Sequence, residues 1–349
     1  MAEPTTTGKL ATEQVVNDIL ATIDRERERE IVSRRFGLFD RKETLEQIGE
    51  LLGITRERVR QLEKSVVTRL KTAAEQGELP HMADVQDSLV EALRELGHVA
   101  RVNELSAVLT KENTKFDQAR VAFLAQLAPK LAVVNDDDHY HHSVAVMEKH
   151  DEKALKGLVQ KLIDTVKGIG EPKPIDHIAK EAGMEDPSHA AAVASTSKHL
   201  ATLNDQWGLM KWPIVNPKNI RDKIYVVLKQ DGKQMHFNDI AKAIKDSEFK
   251  RKDVTTQAIH NELIKDKRFV LIGRGIYALK EWGYEKGTVA DVIAEVLKKA
   301  NEPLHRDEIV KRVLKSRYVK ETTILLNLQG KPQFKRVAKA TYTLDPEQA

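Results

Sequence analysis

Cysteine is absent from the 349-residue chain, which excludes disulfides, thiolate metal sites and cysteine nucleophiles. The aromatic fraction is only 5%, and the three tryptophans are interpreted as core or hairpin anchors rather than as platforms for stacked bases. No apolar run approaches the roughly 18 residues that a membrane-spanning helix needs. The first residues have neither the basic nor the apolar segment of a secretory signal. We therefore expect a cytoplasmic protein without membrane association.

Signatures of catalysis are also missing. The glycine-containing strings at 168–170 and 273–275 lack the strand-to-helix flanks of phosphate loops, and no metalloprotease helix or serine-hydrolase elbow occurs. The segment 136–142, DDDHYHH, carries carboxylates and imidazoles, which are common metal ligands. Because consecutive hairpin residues point to opposite faces, a solvated turn is favoured over a metal site. We expect no enzyme activity, no cofactor, no metal and no small-molecule substrate.

Positive charge is concentrated at the two ends of the chain. The formal net charge is +3 for residues 22–71, −4 for 84–150 and 0 for 151–218. It is +5 for both 219–284 and 286–349. Since lysine and arginine supply most sequence-independent affinity for phosphates, these ends are where an anionic partner would bind. The acidic middle is expected to face protein or solvent.

Three short helices are predicted near the N-terminus from the spacing of apolar residues. The first ends at Gly37, the second at Gly53, and Thr44 and Thr55 stand where N-caps are needed. The short turn at 52–55 predicts a helix-turn-helix. The inward stripes are expected to consist of Ile31, Val32 and Phe36; Leu45, Ile48, Leu51 and Leu52; and Val59, Leu62, Val66 and Leu70.

The third of these helices, roughly 55–71, has a net charge of +4 and exposes polar side chains in its first turns. Arginine suits guanine, glutamine suits adenine and glutamate suits cytosine, so the pattern is typical of a recognition helix. A solvated face of an ordinary bundle helix is the alternative. The residues expected to contact DNA are Thr55, Arg56, Glu57, Arg58, Arg60, Gln61 and Lys64.

This segment resembles the fourth conserved region of the primary bacterial sigma factors over about 50 residues. The strings that carry the resemblance are RERE at 27–30, RFGL at 35–38, TLEQIG at 44–49 and TRERVRQLE at 55–63. The resemblance implies binding of double-stranded promoter DNA at a minus-35 element and docking on RNA polymerase. It implies base-edge contacts for Arg56, Glu57 and Gln61, and base or backbone contacts for Arg60 and Lys64. The upstream regions that melt promoters have no counterpart before Ile23, so a complete sigma factor is not expected.

After a polar connector at 72–83, a pattern of helix, short extended step, two helices and hairpin occurs four times. Comparable starts lie at Asp87, Leu158, Ile224 and Val289, giving periods of 71, 66 and 65 residues. We expect a mainly α fold with small β-hairpin wings, in which a helix-turn-helix precedes about four tandem winged-helix modules. The predicted domains are 1–78 for the helix-turn-helix, then 84–149, 150–217, 218–284 and 286–349, here called repeats 1 to 4.

Repeat 3 resembles HARE-type winged helices, a family that includes the N-terminal domain of the delta subunit of RNA polymerase; the string at 267–284 carries the resemblance. Secondary contacts with DNA or polymerase, or alternatively a solvated surface, are expected at Lys250, Arg251, Lys252 and Arg274.

Two hypotheses for function follow. The first is a DNA-binding transcription factor that recognises promoter-like duplexes and associates with RNA polymerase. The second is a scaffold that binds polymerase or a sigma factor and has incidental DNA affinity. An accessory array for a nuclease would need a carboxylate cluster that the sequence does not supply.

Overall fold

The computed structural model describes residues 10–249, 251, 253–284 and 287–345. The chain divides into two compact units, Met1–Lys211 (unit 1) and Trp212–Ala349 (unit 2). Both are mainly helical and carry small three-stranded antiparallel sheets. None of the helices in the described part of the chain is long and apolar enough to cross a membrane.

Unit 1 begins with four helices, which are followed by two repeats. The helices are α1 (Thr12–Ala21), α2 (Glu26–Phe36), α3 (Leu45–Leu52) and α4 (Arg56–Glu75). Repeat 1 comprises α5 (Met82–Glu95), β1 (Val99–Arg101), α6 (Val102–Leu109), α7 (Lys115–Leu127), β2 (Leu131–Val134) and β3 (Ser143–Val146). Repeat 2 comprises α8 (Glu152–Ile169), β4 (Lys173–Pro174), α9 (Ile175–Glu181), α10 (Pro187–Ser195), β5 (Leu200–Leu203) and β6 (Gln206–Leu209).

The predicted helix-turn-helix is confirmed, with α2, α3 and α4 as its helices. Gly37 and Gly53 end α2 and α3 in the left-handed conformation, with φ of 69° and 63°, which glycine adopts without steric cost. Thr44 and Gln47 form a reciprocal capping box at the start of α3, and the Thr55 hydroxyl accepts from the Arg58 N–H at the start of α4.

Two predictions in this region are wrong in part. Leu51 was expected to face inward, yet its side chain is 55% exposed, because the short helix α3 buries a narrow stripe centred on Ile48. The predicted connector at 72–83 is only partly a connector. Helix α4 continues to Glu75, and Leu79 and Met82 are buried in the core of the unit.

Helix α1 was not anticipated from the sequence, although it is part of the main core of unit 1. It buries Val16 and Ile19 completely in a cluster that also contains Val32 and Val66 of the helix-turn-helix and Phe123 of α7. The helix-turn-helix and repeat 1 therefore share one hydrophobic core, which makes them a single packed body rather than two independent modules.

Unit 2 contains the elements of repeats 3 and 4. Repeat 3 comprises α11 (Ile220–Asp231), β7 (Met235–His236), α12 (Phe237–Asp246), α13 (Thr256–Lys265), β8 (Phe269–Gly273), β9 (Ile276–Leu279) and the 3₁₀ turn Lys280–Trp282. Repeat 4 comprises α14 (Val289–Ala300), β10 (Leu304–His305), α15 (Arg306–Ser316), α16 (Glu321–Gly330), β11 (Phe334–Ala338) and β12 (Thr341–Leu344). One hydrophobic cluster lies under the hairpin of repeat 3, and another lies between the three helices of repeat 4.

The four sheets have the same topology. In each sheet the second strand of the hairpin pairs with both the first strand and the short strand that precedes the second helix, giving the orders β1-β3-β2, β4-β6-β5, β7-β9-β8 and β10-β12-β11. The predicted hairpins and the recurring order of elements are confirmed. The hairpin between β5 and β6 turns through Asn204 and Asp205, both at positive φ, as in a type I′ turn.

Candidate nucleic-acid interface

The turn between α3 and α4 depends on two glycines with different tasks. Gly53 supplies the left-handed residue, and its N–H donates to the carbonyl of Glu50. Gly49 supplies space, because a Cβ atom at this position would lie 2.6 Å from the carbonyl oxygen of Ile54. The last turns of α3 therefore pack directly against the backbone that leads into α4, and this contact fixes the angle at which α4 is presented.

Helix α2 supports both helices of the motif. Ile31 of α2, Ile48 of α3 and Val59 of α4 are fully buried against one another and form the core of the motif. The guanidinium of Arg27 donates to the carbonyl of Leu52 at 2.7 Å, at the end of α3 where backbone carbonyls lack helical partners. The first turns of α4 are consequently held through their inner face, which packs on α2 and α3, and their outer face is exposed to solvent.

That outer face carries the residues predicted to contact DNA. All seven side chains are exposed and lie on the N-cap and first three turns of α4; they are Thr55, Arg56, Glu57, Arg58, Arg60, Gln61 and Lys64. Because the helix N-terminus attracts anions and arginine, glutamine and glutamate match base edges, this surface has the chemistry of a major-groove reader.

Four of these side chains interact with one another in the free protein. Arg60 donates two hydrogen bonds to the Glu57 carboxylate, at 2.9 Å and 2.6 Å, and Gln61 donates a longer one at 3.4 Å. Arg58 in turn donates to the amide oxygen of Gln61 at 3.4 Å. The bonds from Arg60 hold the pKa of the Glu57 carboxyl below its ordinary value and raise the pKa of the guanidinium. A partner that binds Arg60 would therefore compete with Glu57 for its guanidinium.

A second set of groups, beside α4, was not predicted from the sequence. An open cleft of about 450 Å³ separates the starts of α3 and α4 and is lined by Arg35, Thr44, Arg56 and Arg60, among others. Arg35 is fixed by the Glu63 carboxylate at 3.3 Å and by the carbonyl of Glu43 at 3.3 Å. Arginine and the N-terminus of a helix are both phosphate-binding groups. The sequence signal for this site is the pair of consecutive arginines at 34 and 35. The spacing of apolar residues alone does not indicate which of the two faces the cleft.

The opposite side of the helix-turn-helix is covered by repeat 1. The rings of Phe36 and Phe123 lie 4.9 Å apart between centroids. The buried Arg120 of α7 donates to the carbonyl of Leu38 at 2.9 Å and pairs with Glu13 of α1 at 2.8 Å. Repeat 1 thus covers the apolar side of the motif, whereas the outer face of α4 is exposed.

The secondary residues predicted in repeat 3 belong to the other unit. Lys250 and Lys252 lie outside the described residues. Arg251 adopts a positive φ of 56°, and its carbonyl oxygen accepts from the ammonium of Lys223 at 2.7 Å. Arg274 is exposed in the tight turn between β8 and β9. Their role in binding stays a prediction.

The segment 136–142 lies in the loop between β2 and β3. Asp137 accepts from the backbone N–H groups of His139 and Tyr140, at 2.7 Å and 2.8 Å, and so orders the turn. The ring of His139 contacts His199 of repeat 2 at 2.8 Å. Within the part of the chain that the structure describes, no group of three or more ligating side chains converges as a metal site requires.

Comparison with known families identifies the helix-turn-helix. Residues 25–72 match the family model described as "Sigma-70, region 4". This range covers α2, α3 and most of α4, including every residue predicted to contact DNA in this motif.

Several known proteins are similar to the same part of the chain. RNA polymerase sigma factor sigB of Arabidopsis thaliana is 50% identical over 46 residues, which are 13% of this chain and 8% of that protein. RNA polymerase sigma factor SigA of a Bacillus species is 44% identical over 57 residues, 16% and 15% of the two chains. RNA polymerase sigma factor RpoD of Helicobacter pylori is 49% identical over 49 residues, 14% and 7%. The similarity spans a small part of each relative; within this chain, residues 25–72 form a sigma-70 region 4 domain.

Proposed function

We propose that the protein is a transcription initiation or regulatory factor that reads a promoter-like, minus-35-type duplex with α4. The observation that carries the proposal concerns the surface of the first half of α4. It exposes a continuous set of base-matching side chains on a region 4 domain whose back is closed by repeat 1.

In this proposal each group has a role set by its chemistry. Arg56 and Arg60 bind guanine edges or phosphates, Gln61 binds adenine, and Glu57 accepts from cytosine once Arg60 has turned to the DNA. Arg58 and Lys64 flank this surface and bind phosphates, and the Thr55 hydroxyl caps the helix that presents it. Arg35 and the N-terminus of α3 hold the neighbouring backbone and so set the register of α4 in the groove.

Association with RNA polymerase is the second part of the proposal. It is supported by the similarity to three proteins whose names describe them as RNA polymerase sigma factors. Since the resemblance is limited to the region 4 domain, the expected role is to bring a polymerase and a duplex together.

We further propose that repeats 1 to 4 are winged-helix modules, that repeat 3 is of the HARE type, and that the chain is organised in the five predicted domains. The shared order of helices and the shared strand order of the four sheets support this assignment. The secondary contacts proposed at Lys250, Arg251, Lys252 and Arg274 would then lie on repeat 3 beside a polymerase surface or adjacent DNA.

A second candidate function is a scaffold that binds polymerase or a sigma factor and has only incidental DNA affinity. It is favoured by one observation on unit 2, where large apolar side chains stand exposed on the third helices of both repeats. Ile264 on α13 is 61% exposed and Leu326 on α16 is 68% exposed. Exposed apolar residues of this size suit a protein partner better than phosphates.

The experiment that separates the two candidates is equilibrium binding of the full chain to minus-35-like and scrambled duplexes at two salt concentrations. The test variant is Arg56→Ala with Gln61→Ala. The matched control is Lys71→Ala with Thr68→Ala, which removes one cation and one uncharged polar group from exposed positions of the same helix. Arg56 and Lys71 are about 22 Å apart along the helix axis.

If α4 reads the sequence, the full chain prefers the minus-35-like duplex, and the test variant loses this preference by about 1–3 kcal/mol for each base contact removed. The control keeps the preference. Equal, weak and strongly salt-dependent binding of both duplexes by the full chain, unchanged in the test variant, would contradict the proposal and leave the scaffold function.

A further inference from the structure

A large groove lies between the helix-turn-helix and repeat 1. Its volume is about 1030 Å³, and its walls come from the loop between α2 and α3, from α7 and from the loop before β3. Apolar atoms of Phe36, Val102 and Ala122 form part of the lining, together with the neutral amides Asn103, Gln118, Gln126 and Asn135. Both walls belong to unit 1 and share its core, so the groove is a fixed feature of the unit.

The charged groups of the groove are mostly cationic and unpaired. Among the described residues, Arg41, Lys42 and Lys115 line the groove, and none of them makes an ion pair. The fourth cation, Arg101, lies 3.3 Å from Glu104. Of the lining acids, Asp136 is paired with Lys198 at 3.1 Å. The other acid, Asp40, accepts from the backbone N–H of Arg41. The groove therefore complements an anionic occupant.

The backbone around Gly37 holds Lys42 in place. Gly37 has a φ of 69°, and a Cβ atom there would lie only 3.1 Å from Cα of Lys42. On the opposite wall, the carbonyl of His142 accepts from the N–H of Val102 at 2.9 Å and ties the loop before β3 to α6. These two contacts fix the backbone that carries Lys42 on one wall and Arg101 on the other.

Residues close together in the chain line the groove and the cleft beside α4. Arg35 and Thr44 line the cleft beside α4, whereas Phe36 and Lys42 line the groove. Lys42 and Thr44 are two residues apart, which places their Cα atoms within about 7 Å of each other. An extended polyanion that lies against Arg35 and the start of α3 therefore meets Lys42 next.

We infer that this groove binds the sugar–phosphate backbone of the duplex that α4 reads, so that repeat 1 extends the DNA footprint of the region 4 domain. The inference rests on the proposed function. Arg41, Lys42 and Lys115 bind phosphates, and the amide side chains donate hydrogen bonds to phosphate oxygens, which position a protein on DNA without reading its sequence. DNA is favoured over an acidic polypeptide because Lys42 of the groove lies two residues from Thr44, which lines the cleft beside the helix proposed to read the duplex.

The test measures how the affinity of the full chain for DNA depends on salt, using minus-35-like and scrambled duplexes. The groove variant is Lys42→Ala with Lys115→Ala. The control is Lys111→Ala with Lys153→Ala, which removes two exposed lysines that do not line the groove. The slope of log K against log salt concentration is negative, and each phosphate contact contributes about −0.9 to it. The groove variant, which removes two contacts, should therefore make the slope less negative by about 1.8.

The expected result is this loss of slope on both duplexes, an unchanged preference between them, and a shorter footprint. The control variant should keep the slope and footprint of the native chain. An unchanged slope and footprint in the groove variant overturns the inference, and loss of RNA polymerase binding instead would assign the groove to a protein. The proposed function is judged separately, because its failure removes the sequence preference of the native chain itself.

Discussion

Helix α4 is the third helix of the helix-turn-helix, and α10, α13 and α16 are the third helices of repeats 2, 3 and 4. The four helices therefore occupy the same place in their motifs. Their surfaces nevertheless differ. Helix α4 carries six lysine and arginine residues, whereas α10 and α16 carry none and α13 carries one. A similar order of helices therefore presents a strongly basic third helix near the N-terminus and third helices with at most one cation in repeats 2, 3 and 4.

The positive charge of repeats 3 and 4 lies elsewhere. In repeat 4 it is on the second helix, with Lys311, Arg312 and Lys315, and on the hairpin, with Lys335 and Arg336. The net charge of +5 for residues 219–284, and again for residues 286–349, thus does not turn the third helices of these repeats into DNA readers. Two domains with the same topology can therefore differ in what they bind, because the exposed side chains determine the partner.

The largest expected effect concerns two glycines that lie within helices of unit 1, Gly49 of α3 and Gly157 of α8. Alanine at Gly49 would place a Cβ atom 2.6 Å from a backbone oxygen, whereas alanine at Gly157 of α8 meets nothing within 4 Å. We expect Gly49→Ala to destabilise the helix-turn-helix by about 1–3 kcal/mol, because overpacking against backbone outweighs the roughly 1 kcal/mol by which alanine favours a helix. Gly157→Ala should instead stabilise α8 by about 1 kcal/mol.

Urea unfolding, with hydrogen exchange of the amides in α3, α4 and α8, measures both effects. DNA binding should be lost in Gly49→Ala and kept in Gly157→Ala. Equal stability of the two variants would show that the turn yields without cost and would remove the argument that Gly49 fixes the angle of α4.

The local part of this architecture could be predicted from the sequence. The helix ends at Gly37 and Gly53 and the caps at Thr44 and Thr55 depend on a few neighbouring residues, and each was placed correctly. Helix α4 was predicted too short, since the alanines beyond Lys71 continue it without a cap signal. Seven exposed residues of the candidate site were also named correctly as surface residues, although their contacts with DNA stay a prediction.

The remaining features depend on contacts between distant segments. Helix α1 has apolar residues at helical spacing, but its partner Phe123 lies more than a hundred positions further along the chain. Leu51 was assigned to the core because apolar periodicity does not reveal how wide a buried stripe is. Arg35 and the groove between Lys42 and Lys115 arise only where separate elements meet, so no single stretch of sequence encodes them.

A smaller effect separates two N-caps with the same geometry. The Thr55 hydroxyl accepts from the N–H of Arg58 at 3.2 Å, and the Thr255 hydroxyl accepts from the N–H of Ala258 at 3.2 Å. Thr55→Ala and Thr255→Ala should each cost about 1 kcal/mol of stability in their own unit. Only Thr55→Ala should weaken DNA binding, because the first turns of α4 carry three exposed arginines whereas α13 carries no arginine.

Thermal unfolding and duplex binding of the two variants test this pair. Thr55→Ser should restore both stability and affinity, because serine supplies the same capping oxygen. If Thr255→Ala weakens duplex binding as much as Thr55→Ala, then α13 also contacts DNA and the contrast between α4 and the repeats is wrong.

The smallest effect is a pH dependence that belongs to one of two similar ion pairs. Arg60 holds Glu57 at 2.6 Å and Arg312 holds Glu308 at 2.7 Å, and in both cases the hydrogen bond lowers the pKa of the carboxyl. If Arg60 turns to the DNA on binding, Glu57 exchanges this cationic partner for the neutral amino group of cytosine and comes close to phosphates, so its pKa rises towards the ordinary value of 4.5.

Binding then takes up a proton, so affinity for the duplex should increase as the pH falls through the window between the lowered pKa of Glu57 and its pKa in the complex. Fluorescence anisotropy across this range, at constant salt, measures the increase. Glu57→Gln should flatten this pH profile, whereas Glu308→Gln should leave it unchanged, because that pair lies on the second helix of repeat 4. A profile that is the same in both variants would mean that Arg60 stays on Glu57 in the complex and that Arg56 and Gln61 read the bases without it.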